Sequence, residues 1–137
     1  MQTINFWPIL VAAIVSYIIG SLWYSPVLFG KEWTALVGIT EKDLLEVQAR
    51  GIWKLYIAQF VVTLISFGVL AFIISATGVR SVGDGALMAF LVWIGFNATD
   101  AAGKLLWEKK PLKLILIGST GTLVSLVIGG VIMSVWR

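Results

Sequence analysis

The chain has 137 residues, of which 59% are hydrophobic and only 12% are charged. A soluble domain usually carries about 25% charged residues, so this composition excludes a water-soluble fold and we expect lipid to be the solvent. The net charge of +3 at pH 7 is too small and too scattered to indicate nucleic-acid binding.

The first predicted element is a membrane helix over residues 5–26. A long apolar run begins at Ile4, and the first charged side chain of the chain is Lys31. A cleaved signal peptide would begin with a basic segment and have a shorter apolar core, so we expect this helix to be retained. Trp23 and Tyr24 lie where interfacial aromatic residues are expected.

Residues 27–53 form the longest polar connection of the chain. The first part mixes apolar and charged residues, which is typical of an interfacial helix, and Gly38 offers a place for that helix to end. Thr40 followed by acidic residues, among them Asp43, has the pattern of a helix N-cap and predicts a short amphipathic helix over about 41–50. We expect this connection to rest on the membrane surface.

Three further apolar segments predict membrane helices over about residues 54–78, 84–107 and 112–136. A short loop at 108–111 joins the last two. The predicted fold class is therefore all-α: an integral membrane four-helix bundle with a short amphipathic interfacial segment between helices 1 and 2. We expect residues 1–137 to form a single transmembrane domain.

Small residues recur at every fourth position on three of the predicted helices. Such stripes let two helices approach closely. The three stripes are Ala12, Ser16 and Gly20; Gly95, Thr99 and Gly103; and Gly121, Ser125 and Gly129. Because four helices do not obviously need three packing stripes, we expect a homo-oligomer or an assembly with partner membrane subunits.

The third predicted helix carries the candidate polar site. Trp93, Asn97, Asp100, Lys104 and Trp107 follow the spacing of one helix face. One interpretation is a small polar pocket or pathway walled by the two tryptophans. The other is an ion pair between Asp100 and Lys104, four residues apart, near the lipid headgroups.

The second predicted helix adds three polar residues at a spacing that places them on one face. These are Gln59, Thr63 and Ser66. Polar side chains inside membrane helices commonly hydrogen-bond to neighbouring helices, which is what we expect of all three. Gln59 lies toward the same membrane side as Asp100 and is predicted to be part of the candidate polar site.

The basic residues are distributed unevenly between the two predicted sides of the membrane. Eight lie in or beside the first and third loops: Lys31, Lys42, Arg50, Lys54, Lys104, Lys109, Lys110 and Lys113. Only Arg80 and Arg137 lie on the other side. This bias predicts that the loops at 27–53 and 108–111 are cytoplasmic and that both termini lie outside the cytoplasm.

The charge pattern and the composition also predict partners. Lys109, Lys110 and Lys113 are expected to attract anionic lipid headgroups. Cysteine and histidine are absent, which excludes disulfides, Cys/His zinc sites, Ser-His-Asp triads and His-ligated haem. We therefore expect no enzymatic activity, no cofactor and no metal.

Two segments of the chain resemble a known family. Residues 20–33, GSLWYSPVLFGKEW, are similar to the N-terminal signature of a bacterial membrane family known as domain of unknown function 1761. Residues 91–96 and 107–114 are similar to the junction between its third and fourth helices. The resemblance covers nearly the whole chain, and it implies four membrane helices, a place in the bacterial inner membrane and no established activity.

Two functions of different classes fit these observations. The first is an oligomeric membrane protein that offers a small polar site, or a conduit for an ion or a proton, near the third helix. The second is a non-catalytic accessory or scaffold subunit of a larger membrane complex. An enzymatic function is the third hypothesis, after these two.

Overall fold

A computed structural model describes residues 4–136 of the chain. Its elements in chain order are α1 (Phe6–Trp23), α2 (Gly30–Val37), α3 (Glu41–Ala49), α4 (Ile52–Thr77), α5 (Val82–Val92), a π-helical turn (Trp93–Ala98), α6 (Thr99–Trp107) and α7 (Leu112–Val135). The segment from α5 through α6 is continuous and is called the third span, Val82–Trp107. The predicted all-helical fold class is confirmed.

Four helices are long and apolar enough to cross a membrane, namely α1, α4, the third span and α7. Their bounds agree with the predicted spans to within a few residues. The largest difference is at the end of α1, which stops at Trp23 rather than at residue 26. Pro26 accounts for this difference, because a proline disfavours helical geometry in the residue before it.

The connection between α1 and α4 contains two short helices, as predicted. Helix α2 ends at Gly38, whose φ of 80° is the left-handed conformation that favours glycine. Helix α3 begins with a capping box, in which the Asp43 amide donates to Thr40 Oγ1 and the Thr40 amide donates to Asp43 Oδ2. The hydrogen bond from the Thr40 amide to the Asp43 carboxylate, and after it the interaction of that carboxylate with the Thr40 hydroxyl, hold the pKa of Asp43 below its ordinary value.

Helix α7 is the central element of the bundle, because α1, α4 and the third span all pack against it. The third span packs along α7, and its α5 segment also contacts α4. The third span is the least buried of the four long helices.

The closest helix contact is between α5 and α7. Gly85 of α5 faces Gly130 and Ser134 of α7, so that a Cβ atom added to Gly85 would lie 2.6 Å from Ser134 Cβ and 2.7 Å from the Gly130 carbonyl oxygen. Ala89, one turn further along α5, is fully buried. Only small side chains allow two helix backbones to approach this closely.

The tight packing is confined to one half of the bundle, which we call the terminal half. It contains the start of α1, the end of α4, the start of α5 and the end of α7. Its buried residues are Pro8, Ile9, Ala12, Ala13, Phe67, Leu70, Ala71, Ile74, Gly85, Ala89, Gly129, Gly130, Met133 and Ser134. In the opposite half, which we call the loop half, Ile117 is the one buried residue of the four spans within the described range.

The contact between α5 and α7 leads to a prediction about stability. Gly85→Ala would place a methyl group against Ser134 and the α7 backbone, and overpacking of this kind typically costs about 1–3 kcal/mol. Gly83→Ala, on the same helix, meets nothing within 4 Å and should leave stability unchanged or slightly raised. Unfolding of both variants in mixed detergent measures the difference, and equal stability would contradict the close contact.

Candidate functional site

The third span departs from α-helical geometry where the candidate polar site lies. Residues Trp93–Ala98 form a π-helical turn, which inserts one extra residue into the helix. The insertion rotates everything after it by about 100° relative to an uninterrupted α-helix. The predicted single face is therefore not maintained, since Trp93 is half-buried against α7 whereas Trp107 is 87% exposed.

Two tryptophan side chains hold α7 from two different helices. Trp93 Nε1 donates a 2.9 Å hydrogen bond to the carbonyl oxygen of Ser119, and Trp23 Nε1 donates a 2.8 Å bond to that of Ile117. Gly121 provides space for the Trp23 ring, because a Cβ atom at Gly121 would lie 2.9 Å from the indole nitrogen. Both indoles therefore act as donors between helices, a role that sequence reasoning missed.

The signal that could have indicated this role is the Gly-Ser-Thr-Gly run at 118–121. Glycines in an apolar membrane helix let large rings reach the backbone. In the structure Ser119 of this run accepts the hydrogen bond from Trp93, and Gly121 makes room for the Trp23 ring.

Within residues 4–136, none of the three side chains of Gln59, Thr63 and Ser66 hydrogen-bonds to a neighbouring helix, so that expectation is wrong. Thr63 and Ser66 donate to the carbonyl oxygens four residues earlier in α4, and Gln59 Nε2 donates to Thr63 Oγ1 at 3.4 Å. A hydroxyl reaches the preceding turn of its own helix without any help from tertiary packing. Within residues 4–136 neither a hydrogen bond nor an ion pair joins Gln59 to Asp100.

Asp100 and Lys104 form the ion pair that the structural interpretation predicted. Lys104 Nζ lies 3.3 Å from Asp100 Oδ2, and their side chains are 47% and 68% exposed, respectively. The bond from Trp93 to Ser119 fixes the register of the antiparallel third span and α7. Seven residues separate Trp93 from Asp100 and Leu112 from Ser119, so Asp100 lies level with the first turn of α7, about 10 Å from that bond.

This depth places the ion pair at the loop-half surface of the spans. Asn97 lies deeper, inside the π-helical turn, where its side chain is half-buried. Its amide makes no side-chain hydrogen bond in the described part of the chain. The site thus combines a solvent-accessible ion pair with one deeper amide that is available to a ligand or to a neighbouring helix.

The three small-residue stripes have different surroundings. Ala12 is buried in the core, while Ser16 and Gly20 are half-buried. Gly121 and Gly129 are covered by the rings of Trp23 and Phe67, with Ser125 half-buried between them.

The stripe of Gly95, Thr99 and Gly103 is the open one. Gly95 and Thr99 are exposed, and a Cβ atom at Gly95 or Gly103 would meet nothing within 4 Å. The Thr99 hydroxyl donates to the Gly95 carbonyl oxygen at 2.7 Å, so it is satisfied within its own helix. This stripe flanks the polar site on the third span.

The three lysines predicted to bind lipid headgroups lie at the start of α7 and in the loop before it. Lys113 forms a 3.1 Å ion pair with Glu32 of α2, and Lys110 forms a 3.2 Å pair with Glu108. The pair between Lys113 and Glu32 connects the short helix α2 to the start of α7. Lys109 is exposed and has a φ of 53°, which is unusual for a residue with a side chain.

Comparison with known proteins matches the chain to a protein family. The sequence profile of a family described as a protein of unknown function (DUF1761) matches residues 7–134. No curated protein and no solved structure matches the chain. Among residues 4–136 no three His, Cys, Asp or Glu side chains come together in a group that could hold a metal ion.

The indole bond in the third span can be tested on its own. Trp93→Phe keeps an aromatic ring but removes the N–H group, and loss of one interhelical bond in a membrane should cost about 0.6–1.5 kcal/mol. Trp107→Phe, at an exposed position, is the matched control. Detergent unfolding and amide exchange in the third span measure the effect, and equal behaviour of the two variants would contradict the assigned bond.

Proposed function

Since this chain belongs to the family of membrane proteins of unknown function called DUF1761, we propose a function from its own contacts. The protein is a non-enzymatic multi-pass membrane protein that self-associates through its third span. At the contact between copies it offers a small polar site formed by Asn97, Asp100 and Lys104. The eight basic residues beside the first and third loops orient this site toward the cytoplasm.

The observation that carries the proposal is the incomplete cover of the third span. Its α6 segment packs against α7 on one side, while Gly95 and Gly103 face open space. Lipid chains can cover any apolar surface. Glycines on a membrane helix have a further effect, because they permit the backbone of another helix to come close. A second copy placed there would cover the small-residue stripe and the polar side chains beside it.

The charges of the site are complementary to those of a second copy. Symmetric membrane dimers bring the same segment of both chains together. The exposed pair of Asp100 and Lys104 then meets its own counterpart, and each carboxylate gains a second ammonium group within reach. Such an arrangement would hold two carboxylates and two ammonium groups at the contact without leaving any of the four charges unpaired.

An ion or proton conduit in this protein would have to run between copies. The terminal half of a single chain is closed by the contact of Gly85 with Ser134 and by the ring of Phe67 over Gly129. The loop half is open, and Asn97 is the deepest polar side chain of the proposed site. A conduit that starts at Asp100 and passes Asn97 therefore continues along the seam between two third spans.

The same open face also fits the alternative function, an accessory or scaffold subunit of a larger membrane complex. In that case a helix of another polypeptide would take the place of the second copy. Native mass spectrometry of gently extracted protein distinguishes the two, since it shows either multiples of one mass or a fixed mass of other subunits. A monomer alone would contradict both functions.

Self-association should depend on the open stripe. Gly95→Leu and Gly103→Leu add bulk where a second helix would approach, so we expect dimerisation in liposomes to weaken by at least about tenfold, which corresponds to about 1.4 kcal/mol. Gly68→Leu on α4 is the matched control, because Gly68 also meets nothing within 4 Å. Energy transfer between labelled copies measures the change, and unaltered dimerisation in both stripe variants would exclude this face.

Ion flux into liposomes tests whether the polar site is a conduit. Asp100→Asn removes the carboxylate but keeps the size of the side chain, so cation or proton flux into liposomes should fall when compared at equal amounts of inserted dimer. Asp84→Asn, at the opposite end of the third span, serves as the control. Absence of flux in the wild-type protein, or equal flux in both variants, would exclude a conduit. The polar site would then be a binding site only.

A further inference from the structure

A groove lies on the outer surface of the bundle where α1 and α4 separate. It has a volume of about 480 Å³ and is lined by Ile14, Tyr17, Ile18, Ser21 and Leu22 of α1 and by Phe60 of α4. This groove is on α1 and α4, away from the third span and its polar site. None of its lining residues takes part in the proposed function.

The groove exists because α1 and α4 pack tightly only in the terminal half. There Ala13 and Leu70 are buried in a common core. In the loop half the two helices are bridged by aromatic side chains instead: the Tyr17 hydroxyl donates to the Tyr56 carbonyl oxygen, and the Tyr17 and Phe60 rings meet edge to face at 5.6 Å. The two rings bridge the helices and form one wall of the groove.

The chemistry of the groove selects a hydrocarbon. Its two polar side chains are already occupied, since Tyr17 bonds to Tyr56 and Ser21 Oγ donates to the Tyr17 carbonyl oxygen at 2.9 Å. From Ile14 to Leu22 the groove follows α1 for eight residues, or about 12 Å. This length is close to one half of a hydrocarbon core that is about 30 Å thick, so the groove matches an acyl chain of the loop-half leaflet.

A positive charge lies at the loop end of the same surface. Trp53 is seven residues before Phe60, which places both on one face of α4 about 10 Å apart. The ammonium group of Lys54 folds over the Trp53 ring, 5.6 Å from its centroid. Within the described part of the chain Lys54 forms no ion pair with a carboxylate, so its charge is available to an anionic group.

We propose that this groove binds an anionic phospholipid of the loop-half leaflet. One acyl chain lies along Ile14, Ile18 and Leu22, and the phosphate of the headgroup binds Lys54 beside the Trp53 indole. Tryptophan is favoured at headgroup depth, and a lysine there attracts anionic lipids. A zwitterionic lipid fills the groove but gains less from Lys54.

Native mass spectrometry with defined lipids tests this assignment. The purified protein is titrated with phosphatidylglycerol or phosphatidylcholine, and the dissociation constant of the first bound lipid is measured for each. Lys54→Gln should weaken phosphatidylglycerol binding about fivefold and leave phosphatidylcholine binding unchanged. Lys42→Gln, on the exposed face of α3, is the matched control and should change neither constant.

A second variant tests the groove itself. Ile18→Trp fills the space between Ile14 and Leu22, so it should weaken binding of both lipids, whereas Leu87→Trp on the exposed face of the third span should not. Glycerol phosphate, which has the anionic group without acyl chains, should not compete with phosphatidylglycerol. Unchanged lipid binding in Lys54→Gln or in Ile18→Trp, or full competition by glycerol phosphate, would overturn the proposal.

Discussion

The bundle depends on the close contact between α5 and α7 in the terminal half. Gly85 lies against Ser134 and the backbone of Gly130, and no larger side chain fits between them. In lipid the helices gain little from hydrophobicity itself, so the energy of their association comes from such close packing and from hydrogen bonds between helices. Close packing connects the helices of the terminal half, whereas hydrogen bonds between helices connect those of the loop half.

This difference between the two halves explains where the open stripe and the lipid groove lie. In the loop half, rings rather than small residues connect the helices, and the indoles of Trp23 and Trp93 bond to the α7 backbone at Ile117 and Ser119. Rings keep helix axes further apart than glycines do. The open stripe on the third span and the groove between α1 and α4 are both consequences of this spacing, and both face the side of the membrane where the basic residues are concentrated.

Much of the fold could be predicted from the sequence because its signals are local. The apolar runs define the spans, Gly38 ends α2, and Thr40 with Asp43 starts α3. The π-helical turn could not be predicted, since an extra residue in an apolar helix leaves no pattern in residues 93–98. The indole bonds were missed because a backbone carbonyl exists at every residue, and only the packing of three helices decides which of them meets a tryptophan. The ion pair of Asp100 and Lys104 was predictable because it needs one helix only.

We infer that a second copy of the chain covers the loop half of the third span. Because the sequence has no cysteine, single-cysteine variants can be made directly and oxidised mildly in native membranes. We predict disulfide-linked dimers for Gly95→Cys, Thr99→Cys and Gly103→Cys, and none for Gly83→Cys or Leu87→Cys in the terminal half. Dimers at the terminal-half positions only, or at none of the five, would show that no second copy lies on the loop half of the third span.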